Sequence, residues 1–208
     1  MKNLSIENIT KACRGTFHGD KSILSQEVSG VVIDSRKVQP GYLFVAIDRT
    51  SKFAYAELHD KSTRVIAKEF LERLIEAVPY KIHTILTDNG IQFAKREGTE
   101  DYRDIPFDRV CLGQNIDHRL TKVKHPWTNG QVERMNRTLK DATVKKYYYQ
   151  THEQLKEHMQ TFLMAYNFAR RLKTLKGLTP YEYICKIWTN EPERFTINPF
   201  QHTVGLNI

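Results

Sequence analysis

Short apolar runs bounded by Gly, Pro or Asn alternate along the chain with segments whose apolar residues recur every three or four positions. The runs predict β-strands and the periodic segments predict amphipathic helices. The predicted strands are Val28–Asp34, Tyr42–Ile47, Phe53–Leu58, Ile82–Thr87 and Ile116–Leu120. The predicted helices are Ser5–Ala12, Ile66–Val78, Phe107–Leu112, one that carries Glu133 and one that begins near Thr151. This order predicts an α/β fold with helices on both faces of a mixed sheet, and the wholly apolar second strand at its centre.

The helix that carries Glu133 has one apolar side and one polar side. Its apolar side consists of Val132, Met135, Leu139 and Ala142, and its polar side of Glu133, Asn136, Arg137 and Lys140. Thr128 and Gln131 have the spacing of a capping box, which predicts that the helix begins there. The polar side could hold a metal ion beside a phosphate backbone. The alternative is a solvated ion pair between Glu133 and Arg137, which contributes only about 0.2–0.5 kcal/mol.

A second carboxylate, Asp88, ends a β-branched strand at an Asn-Gly turn. A carboxylate at the end of a strand, opposite one on a helix, can hold divalent metal ions over an open cleft. Mg²⁺ prefers oxygen ligands and is usually bound by one or two carboxylates together with substrate phosphate. Asp88 and Glu133 therefore predict metal-dependent phosphoryl transfer, in which paired metals stabilise the attacking and leaving oxygens.

The charge of the 208-residue chain is concentrated around the Glu133 helix. The formal net charge is +8, and from Arg119 to Lys146 eight basic residues stand against two acidic ones. This density predicts a phosphate-binding surface, although a solvated helix face is the alternative. The candidate DNA-binding residues are Lys122, Lys124, Arg134, Asn136, Arg137 and Lys140. His118 and His125 lack the spacing of a zinc site, so a surface or DNA-facing role is expected for them.

Cysteine content and hydropathy predict the compartment. Three widely spaced cysteines form neither a zinc pattern nor a disulfide framework. The chain shows no signal peptide and no apolar run of membrane length. We therefore expect a cytoplasmic protein with no membrane partner.

From about Tyr42 to the C-terminus the chain resembles the catalytic core of bacterial insertion-sequence transposases of the retroviral-integrase type, which belong to the ribonuclease-H-like superfamily. The motifs that carry the resemblance are Phe44–Phe53, Leu86–Phe93, His125–Asn136, Ala165–Asn167 and Gly177–Glu182. It implies transfer of DNA phosphodiesters with Mg²⁺ or Mn²⁺, transposon ends and target DNA as partners, and a homo-oligomer on DNA. It also implies that Asp88 and Glu133 are the second and third of three catalytic, metal-binding carboxylates.

The segment upstream of Tyr42 is similar to a different family. Val28–Ile47 resembles the N-terminal, UDP-binding domain of muramyl-peptide ligases, and most closely the UDP-N-acetylmuramoyl-tripeptide–D-alanyl-D-alanine ligase. We therefore expect a chimera in which residues 1–41 are a truncated ligase-like segment and residues 42–208 are an integrase-like core. An unrelated segment would then replace the first strand of the core. Without the ATP-binding loop and the other ligase domains, ligase activity is not expected.

Asp34 is the candidate for the first of the three carboxylates. In a hairpin that turns at Gln39–Gly41, Asp34 would lie opposite Ala46, near the place where a first-strand carboxylate is needed. The alternative is that Asp34 keeps a ligase-like loop role. Asp48, at the far end of the next strand, is expected to cap a turn instead.

The expected function is that of a transposase core acting on DNA phosphodiesters in integration and transposition. The first alternative is a non-catalytic, DNA-binding relic of a transposase fused to a ligase fragment. The second is a nucleotide-sugar binding module formed by residues 1–47. Metal-dependent DNA cleavage that is lost in Asp88→Ala and Glu133→Ala would distinguish the enzyme from both alternatives.

Overall fold

The computed structural model describes residues 5–12, 14, 16–17, 19–26, 41–94, 105–121 and 129–201. The chain divides into two compact units, residues 1–40 and 41–208. In the first unit, helix α1 (Ile6–Ala12) is followed by a short 3-10 helix at Lys21–Ile23. The predicted N-terminal helix is confirmed, whereas the predicted strand Val28–Asp34 lies outside the described residues. The predicted domain boundary between residues 41 and 42 stays a prediction.

The second unit alternates strands and helices. Its strands are β1 (Tyr42–Ile47), β2 (Ala54–His59), β3 (Thr84–Thr87) and β4 (Asp117–Leu120). Its helices are α2 (Arg64–Ala77), α3 (Pro106–Gly113), α4 (Gly130–Ala142), α5 (His152–Met164) and α6 (Pro180–Asn190). A π-helical turn, Ala165–Ala169, extends α5. The predicted strands and helices of this unit are confirmed, and α6 is an element that the hydrophobic pattern did not predict.

The strands pair in two ways. β1 and β2 form an antiparallel hairpin in which Tyr42 pairs with His59 and Ile47 with Ala54. β3 and β4 are parallel, with Thr84 opposite Asp117. Among the described residues β1 pairs with β2 alone, so its expected central position is not observed there. β1 is apolar throughout because helices cover both of its faces: Phe44 packs in the core around α2, and Val45 packs in the core around α4 and α5.

One core forms where α2 packs on the strands. Four residues at helical spacing, Ala67, Phe70, Leu71 and Leu74, are buried. The helix begins at Thr63, whose hydroxyl accepts a hydrogen bond from the backbone N–H of Ile66 at 3.2 Å. It ends before Pro79, because the residue that precedes a proline is biased away from helical angles. This core includes Phe107 and Cys111 of α3, and the Phe107 ring also packs on His118 of β4.

A second core places α4 against the β1–β2 hairpin. Met135 and Leu139 of α4 pack with Met159 and Leu163 of α5 over β2. At the contact β2 contributes the small residues Ala54 and Ala56, which let the helices approach closely. The predicted apolar faces of α4 and α5 are therefore confirmed. This packing decides which side of α4 remains available for chemistry.

Asn167 in the π-helical turn ties the helices to the hairpin. Its side-chain oxygen accepts from the backbone N–H of Ala54 at 2.9 Å, and its Nδ2 donates to the carbonyl of Ala54 at 2.8 Å. The residue is 4% exposed. Because buried backbone groups need partners, this pair of bonds completes the start of β2.

Helix α6 has a strong local start signal. Thr179 and Glu182 form a reciprocal capping box, and Pro180 occupies the first helical turn. Both features favour a helix that begins here. Among the described residues, none of the helices is both long enough and apolar enough to cross a bilayer.

Candidate active site

Asp88 stands directly after β3, in a turn that is held from two sides. Its Oδ1 accepts a hydrogen bond from the backbone N–H of Gly90 at 2.9 Å. The Asn89 side chain donates to the carbonyl of Thr121 at 2.9 Å, which joins the turn to the residue after β4. The Asp88 side chain is exposed. The turn therefore presents a carboxylate to solvent at a fixed strand end, as the sequence predicted.

The start of α4 differs from the sequence prediction. The N-cap residue is Asn129, and its side chain makes no capping hydrogen bond. Thr128 lies outside the described residues, and the Gln131 side chain accepts from Lys52 Nζ at 3.2 Å. The predicted capping box includes Thr128 and so lies outside the described residues, whereas the Gln131 side chain bonds to the β1–β2 hairpin. That contact fixes the first turn of α4, which carries Glu133, to the hairpin.

Most of the predicted polar side of α4 faces away from the core, but Asn136, which was predicted to share it, is half-buried. Glu133, Arg134, Arg137 and Lys140 are exposed, while Met135 and Leu139 are buried. Glu133 and Arg137 do not form the ion pair that was the alternative for this face. Within the described part of the chain, no ion pair engages Arg134, Arg137 or Lys140 either. Three cations and one carboxylate are thus presented together on one helix.

Asn136, one turn after Glu133, has an unusual environment. Its Oδ1 atom is buried and, among the described residues, has no hydrogen-bond partner. An unsatisfied buried acceptor costs about 1–3 kcal/mol. Because this oxygen stays unpaired at a cost in stability, it is a candidate for contact with a ligand.

A cavity of about 850 Å³ brings the end of β3 and the face of α4 together. Its walls include β1 and β3, and both Asp88 and Asn136 line it. Gln131 and Asn129 contribute from the first turn of α4. Glu133 is not one of the lining residues and stands on the exposed side of the same helix turn.

Asp48 also lines this cavity, but its carboxylate accepts hydrogen bonds from the turn that follows β1. Its Oδ1 accepts from the backbone N–H of Thr50 at 2.9 Å, and its Oδ2 accepts from the N–H of Ser51 at 3.1 Å and from its hydroxyl at 2.5 Å. These bonds close the turn between β1 and β2. The turn-capping role expected for Asp48 is therefore confirmed.

The donor set fits a hard divalent cation. Within the described ranges no three His, Cys, Asp or Glu side chains converge on one point. Asp88 and Glu133 provide carboxylate oxygens and Asn136 an unpaired amide oxygen, which are the ligand types that Mg²⁺ takes. Two carboxylates completed by substrate phosphate suit that ion. The remaining predicted site residues, Asp34, Lys122 and Lys124, lie outside the described residues.

The structure corrects the role expected for His118. Its side chain is 9% exposed rather than at the surface, and both ring nitrogens are hydrogen-bonded. His125 lies outside the described residues. Sequence spacing could not reveal this, because the partners of His118 come from β3 and α3.

The arrangement of strands and helices defines the class of fold as an α/β, ribonuclease-H-like fold, which confirms the predicted fold class. The catalytic core domain of BIV integrase has this fold. It superposes with a TM-score of 0.54 at 21% identity, covering 72% of this chain and 90% of that chain. The expected replacement of the first strand falls on residues outside the described ranges.

Two models of the integrase core domain match the sequence, over residues 29–126 and 114–180. The chain is 30% identical over 160 residues to the Pol polyprotein of Radiation murine leukemia virus, covering 73% of this chain and 25% of that protein. It is 29% identical over 142 residues to the uncharacterized protein K02A2.6 of Caenorhabditis elegans, covering 68% of this chain and 10% of that protein. The chain spans 6% to 41% of the length of the curated relatives it matches. Residues 29–180 are therefore similar in sequence to integrase core domains, and the resemblance expected from about Tyr42 onward is supported over residues 42–180.

These matches correct the expected origin of the N-terminal segment. The integrase core match begins at residue 29, upstream of the junction that we expected at Tyr42. Residues 29–41 therefore have integrase-like sequence, and a chimera with a ligase domain is not supported. The error arose because a short motif around a single strand is compatible with two families.

Proposed function

We propose that this chain is the catalytic core of a DNA-integrating enzyme that transfers phosphodiesters with the help of a divalent metal. In the reaction an oxygen of water or of a DNA 3′-hydroxyl forms a bond to phosphorus, and the bond from phosphorus to the leaving DNA oxygen breaks. The observation that carries the proposal is that Asp88 and the first turns of α4 meet at one cavity of an integrase-like fold.

Asp88 and Glu133 are the residues that would hold Mg²⁺ or Mn²⁺. When bound, the metal stabilises the charge on the attacking and leaving oxygens of an in-line displacement. We propose Asp34 as the third carboxylate, and the integrase core match that begins at residue 29 supports it because it includes this residue. Asn136 would direct its unpaired amide oxygen toward the same metal ion.

DNA is the proposed partner. Arg134, Arg137 and Lys140 are exposed on the helix that carries Glu133 and would neutralise phosphates next to the reacting one. Lys122 and Lys124 belong to the same basic stretch of sequence. Transposon ends and target DNA are the proposed substrates, bound by a homo-oligomer that assembles on them. Phosphate contacts position the DNA without reading its sequence.

The test is a nicking and strand-transfer assay with Mn²⁺ that compares wild type with Asp88→Ala and Glu133→Ala. We expect each substitution to lower the rate by at least about a hundredfold, because it removes charge stabilisation of the transition state. Asp141→Ala is the matched control, since Asp141 is an exposed carboxylate of α4 that pairs with Lys145. Its rate should stay within about threefold of wild type.

Fluorescence anisotropy with labelled DNA separates catalysis from binding. The Asp88→Ala variant should bind DNA as tightly as wild type, because it does not remove a cation. DNA binding without metal-dependent cleavage in wild type would refute the enzyme and favour a DNA-binding relic. Asp34→Asn tests the third ligand, since a loop role predicts unchanged cleavage and a ligand role predicts the same loss as Asp88→Ala.

A further inference from the structure

Three side chains from three elements form a hydrogen-bonded chain that ends next to Asp88. His118 of β4 contacts Asp108 of α3 through Nδ1, at 2.5 Å from Oδ1. Its Nε2 lies 2.8 Å from Oγ1 of Thr87, the last residue of β3. The proposed metal-binding carboxylate is the next residue along the chain.

The chain of bonds is shielded from solvent. The side chains of His118 and Asp108 are 9% and 19% exposed, and Thr87 is 9% exposed. The ring of Phe107 packs on the imidazole with a centroid distance of 4.9 Å. Shielded hydrogen bonds are stronger than exposed ones, so these three side chains hold fixed orientations.

The direction of the bonds follows from the chemistry of the partners. An Asp108 carboxylate only accepts, so Nδ1 of His118 carries the proton and donates it. In the neutral imidazole Nε2 then accepts, and the Thr87 hydroxyl donates to it. The same residue is held through its backbone, because its carbonyl accepts from the N–H of Thr121 at 2.8 Å. Both the side chain and the main chain of Thr87 are thus fixed before the turn that presents Asp88.

We propose that Asp108, His118 and Thr87 are positioning residues that set the orientation of the Asp88 carboxylate toward the metal. The inference rests on the proposed function. The three side chains touch neither metal nor DNA in this role. They act on the end of β3, since a change in the Thr87 dihedral angles moves the carboxylate that follows. Groups that orient metal ligands typically contribute 10- to 100-fold in metal affinity.

The measurement is Mn²⁺ affinity, followed in the DNA-free protein by the loss of the free Mn²⁺ electron paramagnetic resonance signal. Thr87→Val replaces the hydroxyl by a methyl group of similar size, and we expect it to weaken Mn²⁺ binding about tenfold. Asp108→Asn should give a comparable loss, because an amide cannot fix the imidazole tautomer as a carboxylate does. Thr87→Ser retains the hydroxyl and should restore affinity to within about twofold of wild type.

Thr143→Val is the matched control. Thr143 is also buried, at 4% exposure, and its hydroxyl donates to the carbonyl of Leu139 at 2.6 Å at the other end of α4. This variant loses a buried hydrogen bond, as Thr87→Val does, so its stability should fall by a similar amount. Its Mn²⁺ affinity should equal that of wild type. A purely structural role of the Thr87 hydroxyl predicts that the two Val variants bind Mn²⁺ alike.

The outcomes separate the inference from the proposed function. If wild type binds Mn²⁺ and Asp88→Ala does not, while Thr87→Val and Asp108→Asn bind it as wild type does, the positioning role is wrong and the metal site stands. If wild type itself fails to bind Mn²⁺ without DNA, or Asp88→Ala binds it equally well, the positioning role is overturned, and the nicking assay with DNA decides the proposed function separately. If Thr87→Val does not fold, the Mn²⁺ affinity of Asp108→Asn, on the partly exposed helix α3, tests the positioning role instead.

Discussion

Two asparagines of the second unit test whether an unpaired buried polar atom lowers the stability of this protein. Asn136 has a buried side-chain oxygen without a hydrogen-bond partner among the described residues. Asn167 is buried as well, but its amide makes both possible bonds to the backbone of Ala54. Substitution by Leu, which has a similar volume and no polar atom, should change the stability in opposite directions at the two positions.

The magnitudes follow from what each substitution leaves behind. Asn136→Leu removes an unsatisfied acceptor that costs about 1–3 kcal/mol, and Leu has a higher helix propensity by roughly 0.5 kcal/mol. Allowing for imperfect packing, we expect a gain of about 1–2 kcal/mol, or a rise in Tm of roughly 2–8 °C for a chain of this size. Asn167→Leu leaves the N–H and C=O of Ala54 unpaired, at about 1–3 kcal/mol each. We expect it to destabilise the protein by roughly 2–5 kcal/mol.

Urea unfolding followed by circular dichroism measures both changes, and the m-value reports whether the folded state stays compact. Asn190→Leu, at the exposed end of α6, is the control for the same exchange on a helix surface and should lie within about 0.5 kcal/mol of wild type. Asn136→Leu should also weaken DNA binding in the presence of metal, since the proposed ligand contact is lost. If Asn136→Leu destabilised the protein by more than about 1 kcal/mol, its oxygen would have a partner in solution and the reasoning would be refuted.

Two further predictions concern ionisable groups away from the site. Burial alone would raise the pKa of Glu57, but hydrogen bonds from Arg73, Tyr55 and His59 outweigh it and lower the pKa below its usual 4.5. The charged form therefore stabilises the fold above about pH 4.5, and this contribution is lost as the pH falls through the lowered value. The difference in unfolding free energy between wild type and Glu57→Gln should shrink below that pH, and a constant difference from pH 7 to 3 would contradict this sign. Burial raises the pKa of the Cys111 thiol to about 12. Iodoacetamide at pH 8 should therefore leave this thiol unmodified in the native protein, which peptide mass spectrometry can check. Rapid labelling would contradict this and show that α3 opens readily.

The local sequence determined the elements and the polarity of their faces. β3 and its Asn-Gly turn place Asp88 at a strand end because β-branched residues favour a strand and the Asn-Gly pair favours a turn. The apolar residues of α4 recur at helical spacing, which assigned Met135 and Leu139 to the core and Glu133 to the exposed side. These features depend on neighbours a few positions away and not on contacts between distant parts of the chain. Helix α6 shows the limit of the hydrophobic pattern, because its start signal is the capping box of Thr179 rather than its apolar periodicity.

Contacts between residues far apart in sequence were decided by the tertiary structure alone. Gln131 bonds to Lys52, 79 positions away, a partner that local spacing does not suggest. His118 reaches Thr87, 31 positions away, only because β3 and β4 pair in parallel with a particular register. A polar side chain bonds to whichever partner the packing of the cores brings near, and periodicity does not encode that choice. The sequence therefore determined which side chains could perform the chemistry, whereas tertiary packing decided which of them meet at one cavity and which groups hold Asp88 in place.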